Sequence, residues 1–224
     1  MEHSTETALT SRFSIADFLA GPAGADFFRG FGRHPYERGA LVCTGVNDEN
    51  GVFVVVEGLL RVYLVGEDRE MTLFYLQAGD IFCTHSGALV EATEPTEVRF
   101  CDFATFQKKL EVYPAISLAL VAILGRAIMS CMRTIEDLTF RDIKQRVASF
   151  FLDRIGNQTR NAGSDIAVSI DLTVEDIANL IGASRQATST ALNSLLKAGY
   201  LKRQDRSNYT IPDVAALRKV AAGR

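Results

Sequence analysis

Apolar positions repeat most regularly between residues 114 and 140. Six of them recur at spacings of 3, 4, 3, 4 and 3, namely Val121, Leu124, Ile128, Cys131, Ile135 and Leu138. This period of 3.5 residues is the a/d pattern of a coiled-coil seam. Pro114 suits a first helical turn, and Gly125 would let two helix backbones approach closely. The pattern predicts one long helix that pairs with a second copy of itself across a two-fold axis. A core helix packed on a sheet is the alternative.

The chain before this helix is predicted to form short strands. From residue 39 onward, β-rich runs alternate with turn signals such as Asn50-Gly51 and Gly79-Asp80. Several short strands at this spacing predict an antiparallel sandwich or roll. Residues 13–19 and 27–31 are predicted to form short helices ahead of the strands, and residues 1–12 a flexible arm.

The chain after residue 140 changes to short helices. Thr173 begins a capping-box-like run, Gly182 supplies a turn, and Ser184 is suited to cap the next helix. Residues 200–211 predict a small hairpin. Two helices joined by a glycine turn and followed by a hairpin are typical of a winged helix-turn-helix that binds DNA. A helical pair that only packs is the alternative.

The second of these helices carries polar side chains near its start. Arginine pairs with guanine and glutamine with adenine in the major groove, so these side chains are the predicted base readers. They are Arg185, Gln186, Ser189 and Thr190.

Charge and composition support this division of the chain. The formal net charge is −3, yet residues 141–224 contain 13 Lys+Arg against 8 Asp+Glu, and residues 1–140 contain 11 against 19. A basic C-terminal third fits nucleic-acid binding by that third alone. We find no run of about 18 apolar residues and no signal-peptide pattern, which predicts a cytoplasmic protein without a membrane segment.

The cysteines are Cys43, Cys83, Cys101 and Cys131, and none forms a CxxC pair. The sequence therefore indicates neither a zinc nor an iron–sulfur motif. Cys83-Thr84-His85 is the remaining candidate, since residues i and i+2 of an extended segment point the same way and could alternate at one metal. No acid–base pair accompanies it, so we do not expect an enzyme. A haem enzyme or gas carrier and a haem-free thiol regulator using Cys83 are the alternatives.

The order of β-roll, long helix and winged helix-turn-helix resembles the cyclic-AMP receptor protein and FNR family over nearly the whole chain. Within that family, several segments are similar to the carbon-monoxide-sensing haem activators: 48–56, 79–87, 89–93, 122–127, 130–138, 184–186 and 188–193. The resemblance implies an α+β fold. It places a cyclic-nucleotide-binding-like antiparallel β-roll with its arm at 1–113, a dimerisation helix and hinge at 114–140, and the DNA-binding domain at 141–224.

The resemblance also implies a site and a set of partners. It implies one haem b per subunit, held by Cys83 when the iron is ferric and by His85 when it is ferrous, with Asn50 orienting His85. Carbon monoxide would replace a ligand from the N-terminus. The freed haem face would pack near the dimer helix, and Phe140 would be the hinge. The homodimer would then bind a palindromic double-stranded DNA operator and act with RNA polymerase. The helix positions implied are Leu120, Val121, Leu124, Gly125 and Ile128.

Two departures from the family pattern matter. The arginine that binds cyclic phosphate in relatives has no counterpart in its motif here, and a phosphate would meet Glu91, Glu94 and Glu97 instead. The family's N-terminal ligand is a proline nitrogen, whereas here eleven residues precede Arg12 and none is a proline. We therefore expect His3 or the Met1 amine to replace it, His3 being narrowly favoured. Water or no sixth ligand is the alternative.

Overall fold

A computed structural model describes residues 15–44, 50–67, 69–156 and 165–223. The chain forms two compact units. The first extends to Tyr63 and then covers Phe74–Met129, and the second covers Leu64–Leu73 and everything from Ser130 onward.

The first unit is a double-layered antiparallel roll with flanking helices. The order within its two four-stranded sheets is β1-β8-β3-β6 and β2-β7-β4-β5, and the turn that joins β4 to β5 belongs to the second unit. This confirms the predicted roll. Its elements are α1 (Ile15–Ala20), α2 (Pro22–Phe27), β1 (Gly32–Tyr36), β2 (Leu41–Cys43), β3 (Gly51–Glu57), β4 (Leu59–Val65), β5 (Glu70–Gln77), β6 (Ile81–Cys83), β7 (Leu89–Ala92), β8 (Thr96–Asp102) and α3 (Phe103–Val112).

Strand β3 is apolar and buried from Gly51 to Val55 because both of its faces are covered there. Phe53 and Val55 contribute to the core that also holds residues of the second sheet, such as Leu60 and Val62. Val52 and Val54 point the other way, into a core shared with helical residues. Alternate side chains of a strand point to opposite faces, so a run of five apolar residues is what a strand between two cores requires.

The long helix α4 runs from Pro114 to Phe140 and has two different faces. Only Ile116 and Ile123 are buried along it. The predicted seam faces outward, with Val121 68% and Ile135 57% exposed. The exposed seam fits the pairing helix rather than the core helix that was the alternative.

This helix also corrects the expectation about membrane segments. By length and composition alone, α4 is long and apolar enough to cross a membrane, with a mean hydropathy of 2.0 in its most apolar window. A single such helix is weak support for a membrane protein. Pairing of the exposed seam is another way to cover this apolar surface.

The second unit packs helices against a small sheet. β9 pairs with β11 and β11 with β10, so the predicted hairpin gains a third strand from earlier in the chain. A final helix, α8, was not predicted. The elements that follow α4 are α5 (Ile143–Ile155), β9 (Ile166–Ser169), α6 (Val174–Ile181), α7 (Arg185–Lys197), β10 (Lys202–Arg203), β11 (Asn208–Ile211) and α8 (Val214–Ala221).

The predicted helix ends are confirmed. Thr173 and Asp176 form a reciprocal capping box at the start of α6. Ser184 Oγ accepts a hydrogen bond from Ala187 N at the start of α7. Gly182 caps α6 in the left-handed region, with φ +66°, where glycine avoids the cost that a Cβ would impose.

Candidate functional site

The Cys83-Thr84-His85 segment lies where strand β6 ends and a turn begins. Cys83 is half-buried and His85 is exposed. Burial raises the pKa of the Cys83 thiol, and the backbone N–H groups of Cys83 and His85 offset part of this rise. The thiol is therefore protonated near neutral pH, and a nearby cation would be needed to stabilise its thiolate. The side chains of Cys83 and His85 are accessible enough to bind a ligand.

Asn50 and His85 flank the end of the pair formed by β3 and β6. In the antiparallel pair of β3 and β6, Val52 lies opposite Cys83. One step outward, Thr84 N donates to Gly51 O at 3.1 Å. β3 begins at Gly51 and β6 ends at Cys83, so Asn50 and His85 lie just beyond the paired residues. The orienting role predicted for Asn50 stays a prediction.

The other cysteines are free thiols. Cys43 and Cys101 are buried, and burial raises the pKa of Cys101 to about 12. Cys131 is half-buried on α4. The two buried thiols behave as small apolar core residues.

The described residues suit a haem better than a polynuclear or zinc site. Within the part of the chain that the structure describes, no three His, Cys, Asp or Glu side chains are close enough to hold one metal ion together. A structural zinc ion needs four such donors, whereas haem iron needs only axial ligands. Cys83 and His85 can each supply one.

A haem ring also requires open apolar surface, and α4 supplies it within the first unit. Val121, Leu124 and Ile128 are 68%, 59% and 62% exposed. A Cβ added to Gly125 would meet no atom within 4 Å. Leu120 differs from these four residues, because it is partly buried and packs against the core that contains Ile116 and Ile123.

Several predicted residues differ from expectation or lie outside the described chain. His34 is exposed and lies in β1 opposite Val98, because β1 pairs with β8 over its whole length. It also lines a cavity of about 210 Å³ together with Thr84 and Phe100. Met1 and His3 fall outside the described residues.

The acidic region expected to repel a phosphate also contains arginines. Glu97 forms ion pairs with Arg33 and with Arg99, and Arg61 lies 3.9 Å from Glu91. Sequence reasoning missed the Arg33–Glu97 and Arg61–Glu91 pairs because their members come from different strands. The repulsion of an anion here is therefore weaker than the three glutamates alone predict.

The helix α7 presents its polar start to solvent. Arg185 is exposed, and its Nε lies 3.7 Å from Glu175 Oε2, a weak ion pair that a nucleic acid could replace. Gln186 and Thr190 are also exposed, and Ser189 is half-buried. Thr190 Oγ1 donates to Gln186 O, so part of its hydrogen-bonding capacity is used within the helix.

Two guanidinium groups hold the turn before α7. Arg146 Nη1 donates to Ile181 O at 2.7 Å and to Gly182 O at 3.2 Å. Arg69, from the turn between β4 and β5, donates to Gly182 O at 3.1 Å. These carbonyls end helix α6, where cations are favoured by the helix dipole. Sequence reasoning missed both arginines.

Comparison with known proteins gives one family model and several related chains. Residues 145–220 match the model described as the Crp-like helix-turn-helix domain. The chain is 59% identical to the reduced (Fe(II)) CO-sensing protein from R. rubrum, over 95% of this chain and all of that one, with a TM-score of 0.55. It is 64% identical to the heme domain of CooA from Rhodospirillum rubrum, over 58% of this chain and 98% of that one, with a TM-score of 0.53.

One curated relative is described as activated by cyclic AMP, not as a sensor of carbon monoxide. The chain is 27% identical over 180 residues to the CRP-like cAMP-activated global transcriptional regulator of Mycobacterium tuberculosis, which covers 77% of this chain and 80% of the relative.

Proposed function

Because the chain belongs to the Crp/FNR family of transcription regulators, we propose that it is a carbon-monoxide-responsive, haem-dependent transcription activator. Regulators of this family bind DNA as homodimers, typically interact with RNA polymerase and are not enzymes. They are soluble cytoplasmic proteins. The proposal adds the effector, the cofactor and the residues that hold it.

The observation that carries the proposal is the placement of Cys83 and His85 at one accessible strand end. The 59% identity to a CO-sensing protein and the 64% identity to a heme domain support the same assignment. Cys83 would hold ferric iron as a thiolate, and His85 would hold ferrous iron as a neutral imidazole. Haem b, one per subunit, would supply an iron that binds carbon monoxide when reduced.

The remaining residues take the following proposed roles. His3 or the Met1 amine would be the ligand that carbon monoxide replaces. The exposed face of α4 would cover the haem and pair the subunits, and Phe140, 77% exposed, would be the hinge. Arg185, Gln186, Ser189 and Thr190 would contact the operator. An effector can shift such an equilibrium only by its different affinity for the two states.

Cyclic AMP is the competing effector, because the curated relative is described as activated by it and arginines lie near Glu91 and Glu97. The deciding experiment uses purified, haem-supplemented full-length protein and a palindromic duplex selected from a randomised library. We expect a Soret band, and tight binding of the duplex only when the ferrous protein is given carbon monoxide. Protein without a Soret band, or DNA binding that responds to cyclic AMP alone, would contradict the proposal.

A further inference from the structure

Thr84 lies between the two proposed ligands and, unlike them, is buried. Its exposed fraction is 5%, whereas Cys83 is half-buried and His85 is exposed. Cys83 is the last residue of β6, and Thr84 and His85 begin the turn that follows. Thr84 is thus the residue of this segment that faces the interior of the roll.

The Thr84 side chain is bonded to the first residue of β3. Gly51 N donates to Thr84 Oγ1 at 3.1 Å, and the same hydroxyl contacts Gly51 O at 3.4 Å. In the backbone, Thr84 N also donates a hydrogen bond to Gly51 O at 3.1 Å. The Thr84 hydroxyl therefore takes the acceptor position for a buried backbone N–H that would otherwise need another partner.

Gly51 is itself held firmly. A Cβ added to it would collide with the ring of Phe100 and lie 2.9 Å from Cys101 O. Gly51 also pairs with Asp102 of β8. Thr84 is consequently tied to a point that two strands and a packed aromatic ring keep in place.

We propose that Thr84 is a positioning residue for the metal-ligand segment. By fixing the turn after β6 to Gly51, it sets the positions of Cys83 and His85. The inference rests on the proposed haem function and goes beyond it, because it assigns the ligand geometry to a side chain that does not touch the metal. Residues that orient metal ligands commonly affect metal affinity by about 10- to 100-fold.

The test compares two substitutions of Thr84 in the full-length haem protein. Thr84→Val keeps the shape and removes the hydroxyl, and Thr84→Ser keeps the hydroxyl. We expect Thr84→Val to lose ferrous haem to an excess of apomyoglobin about 10- to 100-fold faster than wild type. It should also shift the ferrous absorption spectrum, and Thr84→Ser should restore both.

Thr96→Val is the matched control. Thr96 is also a buried threonine of the roll, 4% exposed, and its Oγ1 donates to Glu94 O at 2.8 Å. The Thr96→Val variant should have a lower melting temperature than wild type and an unchanged haem-loss rate and spectrum. If Thr84→Val resembles Thr96→Val in all three measurements, the inference is wrong while the haem proposal stands. If wild-type protein takes up no haem, the haem proposal fails and the inference fails with it.

Discussion

Single residues of the ligand segment differ in environment more than the sequence indicates. Cys83 is half-buried, and its thiol pKa is raised by burial, whereas His85 is exposed two residues later. An exposed imidazole needs no desolvation to reach a metal. The half-buried Cys83 thiol, in contrast, needs a nearby cation to become a thiolate near neutral pH. This difference fits a ligand exchange in which His85 binds ferrous iron, which carries less charge than ferric iron.

The first prediction concerns these two ligands. Cys83→Ser should change the ferric spectrum and leave carbon-monoxide-dependent DNA binding largely intact. His85→Ala should still bind carbon monoxide but fail to activate DNA binding, because the retained ligand is lost. Absorption spectra and fluorescence anisotropy with labelled operator measure both. A His85→Ala protein that responds normally would remove His85 from the proposed site.

The second prediction concerns base reading. Arg185→Ala or Gln186→Ala should cost about 1–3 kcal/mol on the specific operator and much less on random duplex. Anisotropy titrations at fixed salt measure the difference. Arg218→Ala, an exposed arginine on α8, is the control and should change both affinities little. Equal losses on both duplexes would assign Arg185 and Gln186 to phosphate contacts.

At the scale of elements, α4 combines two tasks on opposite faces. Ile116 and Ile123 attach it to its own unit, and the seam is left uncovered within one chain. Burying such large apolar side chains is favourable, so the exposed face provides a driving force for pairing with a second copy.

The third prediction tests that seam. Ile135 is 57% exposed and lies in the second unit, away from the proposed haem face. Ile135→Lys removes about 1.5–3 kcal/mol of burial from each copy, so the dimer dissociation constant should rise by roughly 100-fold or more. Analytical ultracentrifugation measures it. Arg133→Glu, exposed and off the seam, should leave the dimer intact, and an unchanged Ile135→Lys dimer would disprove pairing through this seam.

The fourth prediction concerns the turn before the reading helix. Arg146→Met keeps most of the aliphatic stem but removes the bonds to Ile181 O and Gly182 O. We expect a loss of about 1–3 kcal/mol in the free energy of unfolding, since these carbonyls lose charged donors. Urea denaturation followed by circular dichroism measures it. Arg154→Met, an exposed position on the same helix, should change little. Equal stability of the two variants would mean that the Arg146 bonds contribute nothing net.

At the scale of the whole molecule, the fifth prediction concerns the N-terminal arm, which lies outside the described residues. We predict that His3 supplies the sixth ligand of ferrous haem, so His3→Ala should lose the six-coordinate spectrum. A chain trimmed to begin at Thr10 should lose it as well. If only trimming abolishes the spectrum, the Met1 amine is favoured over His3. If neither change has an effect, the arm is not a ligand.

Much of the molecule could be predicted because its signals are local. The capping residues Thr173 and Ser184 bond to backbone groups three residues away, so their role is visible in any short window of sequence. The α4 seam is likewise a periodic pattern along one helix. The extended segment predicted for Cys83 to His85 ends at Cys83, because Thr84 and His85 begin a turn.

Tertiary structure decided whatever depends on partners far apart in the chain. His34 became part of a strand because β1 pairs with β8, more than sixty residues later. The pairing of β3 with β6, the Thr84–Gly51 bonds and the arginines on Gly182 all join distant segments. Helix caps and periodic faces follow from interactions within a few residues, which the sequence by itself determines. Strand pairing joins segments that are distant in the sequence, and which of them pair is determined only when the whole chain folds.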